Sequence, residues 1–174
     1  MLGNDIVDLT EAKKQSNIFR PRYFDKTLTA SEQYIVQQSV NPELCFWKIW
    51  TCKEAVYKSA QREFGFKSFY NPLQFKIECL KEFQAKVCYN YNIYNVDIEI
   101  NNNFIYSFTS NYFKTDYCIL SSQFSVLQQI STKFNQPISL NKNENGLPYL
   151  KLLSHDKICS ITHHGAYFAI QYEC

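Results

Sequence analysis

The sequence carries almost no excess of charge: 18 Lys and Arg stand against 16 Asp and Glu, a formal net charge of +2. So close a balance supplies none of the broad positive field that gathers nucleic-acid phosphates, which excludes nucleic acid as a partner and makes any anion site local. Long apolar runs are also missing. The densest stretch, CFWKIW at 45–50, is interrupted by Lys48, and nothing approaches the roughly 20 apolar residues of a membrane-spanning helix. The opening residues MLGNDIVDL hold Asp5 and Asp8 where a secretory signal has a basic patch followed by an apolar core, so a cytoplasmic location is expected. Paired cysteines are lacking. The seven present form no C-x-x-C motif and are odd in number, which fits reduced thiols. His155, His163 and His164 lie far from any cysteine pair, which argues against structural zinc. The 13 Tyr and 14 Phe are dispersed through hydrophobic patterns and are not interleaved with Lys or Arg as base-stacking platforms are. No repeat, linker or low-complexity tract interrupts the chain.

What is present suits a single domain over residues 1–174, because 174 residues with 45% hydrophobic content can bury one sizeable core. Ile6, Val7 and Leu9 mixed with Asp5 and Asp8 read as a short strand presenting carboxylates. TASEQYIVQQS places Thr29 or Ser31 as the cap of a short helix with Glu32 in its first turn. From Glu43 to about Phe64 the apolar residues recur with helical spacing, and a long amphipathic helix is predicted. Beyond Gly65 the period becomes two. QFKIECL, QAKVCYNY, NVDIEI, FIYSFT and DYCILSSQ read as strands, SVLQQISTKFNQP as a helix, and ICSITHHGAYFAIQYE as two strands joined at His164-Gly165. Asn101-Asn102-Asn103 and Asn145-Gly146-Leu147-Pro148 read as turns. The class is α+β, an antiparallel sheet packed against the long helix.

Glu54 and Lys58, at i and i+4, face the same side of that helix. Such a spacing alone describes an exposed ion pair worth a few tenths of a kcal/mol. A carboxylate pair of Asp5 with Glu54 also suits Mg²⁺, which takes one or two protein carboxylates and completes its octahedron with water and phosphate oxygens. Lys58 beside it would offset phosphate charge or manage a proton. His163-His164 beside Gly165 is ambiguous by itself, since histidines at strand ends are often only hydrogen-bonded.

These residues carry a resemblance. GNDIVDL resembles the Gly-x-Asp-Ile opening of the 4'-phosphopantetheinyl transferase superfamily, and WTCKEAVYK resembles its Trp/Phe-x-x-Lys-Glu-Ala-x-x-Lys helix. Between them KTLTASE resembles the Leu-Thr-x-x-Glu segment; after them NGLPY and SITHHGAYFAIQYE resemble the Asn-Gly-x-Pro-Tyr and Ser-Ile-Ser/Thr-His segments. The order agrees along nearly the whole chain.

The resemblance implies that fold and a Mg²⁺-dependent transfer of phosphopantetheine from coenzyme A to a serine of an apo acyl or peptidyl carrier protein, releasing 3',5'-ADP. Matched position by position, Asp5 and Glu54 stand at the metal carboxylates and Lys58 at the lysine facing the pyrophosphate. Gly146, Pro148, Ser160 and His163 stand in segments bordering coenzyme A. Glu54, Lys58 or a water on the metal would accept the serine proton. One Asp motif and one Lys-Glu motif are similar to the single-unit holo-acyl-carrier-protein synthase type, which implies a homo-oligomer, a trimer with sites between subunits. The chain departs from the pattern in three places: at Lys58–Gly65 no Gly-rich turn follows the second lysine, Val7 replaces a third carboxylate, and the β segment from Gln74 to Gln123 exceeds the single-unit pattern. A non-catalytic homologue binding coenzyme A or a carrier protein is the alternative reading.

Overall fold

The computed structural model describes every residue except 16, 21, 67–69 and 111–113. It opens with strand β1 (Asn4–Asp8), followed by helices α1 (Leu9–Gln15), α2 (Tyr23–Thr27), α3 (Ala30–Gln38) and α4 (Pro42–Phe64). After a 3-10 turn at Pro72–Gln74 come β2 (Lys76–Leu80), β3 (Gln84–Tyr89), β4 (Asn92–Ile100), β5 (Phe104–Thr109) and β6 (Thr115–Leu120). Helix α5 (Gln123–Phe134) then leads to β7 (Ser139–Lys142), β8 (Pro148–Lys151), β9 (Asp156–His164) and β10 (Tyr167–Glu173). The α+β class holds, but the strands divide into two antiparallel five-stranded sheets, ordered β1-β5-β4-β3-β2 and β6-β10-β9-β8-β7.

Local chemistry sets the element ends. Thr29, not Ser31, caps α3 in a reciprocal capping box with Glu32. Asn41 accepts the Leu44 amide and Pro42 occupies the first turn of α4, where its missing N–H costs nothing. Residue 9 is not strand: the Asp8 carboxylate accepts the Thr10 and Glu11 amides and starts α1 there. Ser122 likewise caps α5, so the strand read through Gln123 ends at Leu120. Asn145–Pro148 is more than the expected turn, because Pro148–Lys151 continues as β8 between β7 and β9.

Helix α4 lies across the first sheet, and its apolar stripe forms the main core. Phe46, Ile49 and Val56 are fully buried there against Val87 and Ile105, each worth about 1.5–3 kcal/mol. A second core lies under α5, where Val126 and Ile130 meet Leu150, Cys159 and Ile170. Between the sheets Ile6, Tyr106 and Ala169 form a third cluster.

The sheets meet where β1, an edge of the first, lies beside β9 of the second. Side chains make this seam: the Asn4 amide donates to Ser160 Oγ at 3.1 Å, Thr162 Oγ1 donates to Asp5 Oδ1 at 2.9 Å, and the Asp8 amide donates to His164 Nδ1 at 3.0 Å. The pairs 4 with 160, 5 with 162 and 8 with 164 show that β1 and β9 run in the same direction. Gly165 turns the chain into β10 at φ 54°, where an added Cβ would lie 2.3 Å from Asp8 Oδ2. Only glycine permits both that backbone and that approach.

Candidate active site

The Gly-x-Asp opening places a carboxylate against α4. Gly3 packs so closely that a Cβ would stand 2.0 Å from the Ala55 carbonyl oxygen, which brings β1 down onto the helix two residues before Asp5. Lys58 then reaches across, donating to the Asn4 carbonyl at 2.8 Å and to Asp5 Oδ1 at 3.1 Å. Lys58 therefore pairs with Asp5, and the exposed Glu54–Lys58 pair that helical spacing alone describes does not form. With Thr162 also donating, one Asp5 oxygen is held by two groups from different elements.

Glu54 shares this cleft but makes no hydrogen bond among the described residues. Burial first, and then repulsion from Asp5, push its carboxyl up to about 7 against the attraction of Lys58. A half-buried carboxylate without a donor, facing a second carboxylate, has the chemistry to hold a cation. No cluster of three or more His, Cys, Asp or Glu suitable for a metal occurs among the described residues. Two carboxylates with room for water and phosphate oxygens are a donor set that Mg²⁺ accepts. The residues present therefore fit the magnesium ion that the resemblance implies.

The raised carboxyl has a measurable consequence. The folded, metal-free protein holds a proton on Glu54 up to pH about 7, whereas the unfolded chain loses it near the ordinary value of about 4.3. The folded state binds the extra proton in that window, so this contribution to stability is full below it and is lost as pH rises through it. The melting temperature without metal is expected to fall from pH about 5 to about 8, and Glu54→Gln is expected to flatten that slope. Equal slopes in the two proteins would show that Glu54 is not the group responsible.

Asp5, Ile6, Trp50, Glu54, Lys58 and His163 are among the residues lining the cleft, whose volume is about 530 Å³. A smaller pocket of about 140 Å³ adjoins it and also has Lys58 and Ile161 in its wall, with Arg62, Lys142, Gly146 and Pro148. Ser160 lines this second pocket. All seven residues singled out in the sequence thus line these two adjoining pockets within one chain. The division between subunits that the single-unit resemblance implies is not needed to bring them together. The β segment that exceeded the single-unit pattern shows why: β2 to β5 build the first sheet beside β1, and β6 joins β10, carrying β9 back against β1. Residues 111–113 of that segment lie outside the described set.

His163 and His164 differ in their surroundings. His164 shares the β9 face of Ser160 and Thr162 that holds β1, while His163 points to the other face, exposed, its ring parallel to Phe168 with centroids 6.4 Å apart. Thr162 and Arg62 are not singled out by the sequence, and His164 is left ambiguous by it. Counting alternate positions from Ser160 identifies Thr162 and assigns His164 to the same face, since residues 160, 162 and 164 alternate along one strand. Arg62 gave no such signal; its guanidinium ties α4 to the second sheet by donating to the Pro148 carbonyl at 2.9 Å and the Cys159 carbonyl at 2.7 Å.

Beneath the site lies a second ion pair. Lys53, wholly buried, donates to Glu32 Oε2 at 2.5 Å, to the Thr27 carbonyl at 3.0 Å and to the Pro72 carbonyl at 3.1 Å. Glu32 in turn accepts the Thr29 and Ile77 amides. The Leu-Thr-x-x-Glu and Lys-Glu-Ala segments therefore meet in the interior, and adjacent residues of α4 divide the work: Lys53 anchors the helix, Glu54 faces the cleft.

A family model for the 4'-phosphopantetheinyl transferase superfamily matches residues 1–119. The match includes β1, α3 and α4 with Asp5, Glu54 and Lys58, and stops before Gly146, Pro148, Ser160 and His163. Comparison with individually curated proteins found no match. No helix among the described residues is long and apolar enough to cross a membrane. With the family model covering more than two thirds of the chain, and with that family's acidic and Lys-Glu segments converging on one cleft, the protein belongs to the 4'-phosphopantetheinyl transferase superfamily.

Proposed function

We propose that this protein transfers the 4'-phosphopantetheine group of coenzyme A to a serine of an apo acyl or peptidyl carrier protein, with Mg²⁺ as cofactor and 3',5'-ADP as leaving group. The observation carrying this reading is the convergence of Asp5, Glu54 and Lys58 from β1 and α4 in one cleft. In the reaction a P–O bond to the serine forms as the P–O bond to 3',5'-ADP breaks, so positioning and charge stabilisation do most of the work. Asp5 and Glu54 are the residues that would hold Mg²⁺, whose contribution when bound is to offset charge on the pyrophosphate. Lys58, oriented by the Asn4 carbonyl and Asp5, presents its ammonium to the same phosphates. Thr162 fixes Asp5 from the opposite sheet.

Incubation with coenzyme A, Mg²⁺ and a panel of apo carrier proteins is expected to add one phosphopantetheine to at least one of them, read by intact mass. EDTA is expected to abolish the transfer and Mg²⁺ or Mn²⁺ to restore it. Binding of coenzyme A without transfer to any carrier would favour a non-catalytic homologue, and full activity in verified metal-free buffer would remove the metal assignment.

The resemblance also implies a homo-oligomer. Because both groups of site residues lie in one chain, activity per chain is expected to stay constant on dilution until light scattering reports the 20.6 kDa monomer. Specific activity that falls together with the measured mass would show that a second copy completes the site.

A further inference from the structure

Between α4 and β2 the chain lays Tyr70 against the long helix. Its ring meets Trp50 edge-on with centroids 5.7 Å apart, Tyr57 at 4.8 Å and Phe75 at 5.8 Å. The backbone that follows is held in place, because Asn71 Oδ1 accepts the Leu73 amide and Pro72 opens the 3-10 turn. Trp50 and Tyr57 are separated by about 10 Å along the α4 axis and by roughly 20° around it. A ring that touches both therefore lies over the helix at the level of residues 53 and 54. Lys53 falls to one side of it and Glu54 to the other.

The Tyr70 hydroxyl is buried without a hydrogen-bond partner among the described residues. Burial first, and then the charge of Glu54 ahead of Asp5 and Glu32, hold its phenol well above the ordinary value, so it keeps its proton at neutral pH. It is a donor lacking an acceptor. On the Lys53 side the acceptors are taken: the Thr27 and Pro72 carbonyls serve Lys53, and Glu32 serves Lys53 together with the Thr29 and Ile77 amides. On the other side Glu54 is a carboxyl lacking a donor. Each is costly alone, and a bond between them satisfies both. The long side chain of Glu54 lets its carboxyl turn to the phenol with no change of backbone.

Resting on the functional reading above, we infer that Tyr70 is a positioning residue: its hydroxyl donates to the ionised Glu54 carboxylate and holds it turned toward Asp5. Carboxylates that ligate a metal are themselves hydrogen-bonded, and the donor fixes how they face the cation. Asp5 has such support from Thr162 and Lys58, and Tyr70 supplies it to Glu54. Tyr70 is not among the described residues that line the cleft, so it acts through Glu54 and not on coenzyme A or the carrier.

Tyr70→Phe keeps the ring and removes only the hydroxyl. Without metal the variant is expected to melt at or slightly above the wild-type temperature, since the resting protein loses no bond. Mn²⁺ binding, read by loss of the free-ion electron paramagnetic resonance signal, is expected to weaken roughly tenfold, and half-activation of transfer is expected to need about tenfold more Mg²⁺. KM for coenzyme A and for the carrier, at saturating Mg²⁺, is expected to stay within about twofold of wild type. Unchanged Mn²⁺ affinity in Tyr70→Phe would overturn the inference. So would a marked fall in its metal-free melting temperature, which would give the hydroxyl another partner, or a raised KM for coenzyme A with Mn²⁺ binding intact, which would put Tyr70 on the substrate. A wild-type protein that binds Mn²⁺ neither alone nor with coenzyme A would instead sink the metal assignment on which the inference rests.

Discussion

Glu54→Gln is expected to reduce kcat/KM for phosphopantetheine transfer on the order of 100-fold or more while leaving the fold intact. Glu54 forms no hydrogen bond with the described residues, so its amide replacement breaks no contact in the resting protein and removes a charge that the half-buried cleft otherwise opposes. Near-native or raised thermal stability at neutral pH should accompany the lost activity. Loss of one charge partner of a transition state typically costs about 3 kcal/mol, which is the factor expected here. Half-activation should also require more Mg²⁺, since one of the two carboxylates is gone. Lys58→Met should lower kcat/KM by a similar factor with a smaller change in the metal requirement, because Asp5 and Glu54, the two carboxylates that would hold the metal, both remain. Asp5→Asn serves as the parallel metal variant. A folded Glu54→Gln protein that modifies its carrier at the wild-type rate would remove the central assignment.

The largest loss of stability is expected from breaking the interior pair on one side. Lys53 and Glu32 are both wholly buried, and Lys53→Met leaves the Glu32 carboxylate without its cation in the core. Such a change typically costs about 3–5 kcal/mol, a drop of roughly 10 °C or more in melting temperature for a chain this size. Glu32→Gln should cost a comparable amount, because the lysine is stranded and the carboxylate that accepts the Thr29 and Ile77 amides is weakened. The double variant Lys53→Met with Glu32→Gln should be less destabilised than the sum of the two, since neither charge remains unpaired. Urea unfolding of the four proteins measures this. Additive losses would mean that the two side chains act independently, against the geometry.

The helices were legible where capping chemistry and period agreed. Asn41-Pro42 and Gly65 bracket α4 in the sequence as they do in the structure, and Thr29 with Glu32 marks the start of α3. The strands from Lys76 to Leu120 were legible by their period of two. Helix α2 and strand β7 were not, because YFDKT and SLNK are too short to display a period. Lys53 was legible as part of a motif but not as a buried anchor. A lysine next to a cleft-facing glutamate carries no sign of its burial until Thr27, Glu32 and Pro72 are seen to surround it.

The sequence by itself determined the α+β class, the long helix, the superfamily to which the chain is similar and the seven residues to examine, because local spacing and motif order are properties of the chain alone. Only the tertiary structure decided that the strands form two sheets, since strand order depends on pairings between residues as far apart as Asn4 and Phe108 in β1 and β5. It decided that Lys58 turns to Asp5 and that Glu54 is left without a donor, because hydrogen bonding depends on which elements are brought within 3 Å or so of one another. It also placed Thr162 and His164 against β1 by packing the second sheet beside the first. The cleft exists because β1 at the edge of the first sheet meets β9 of the second, and no window of sequence contains both.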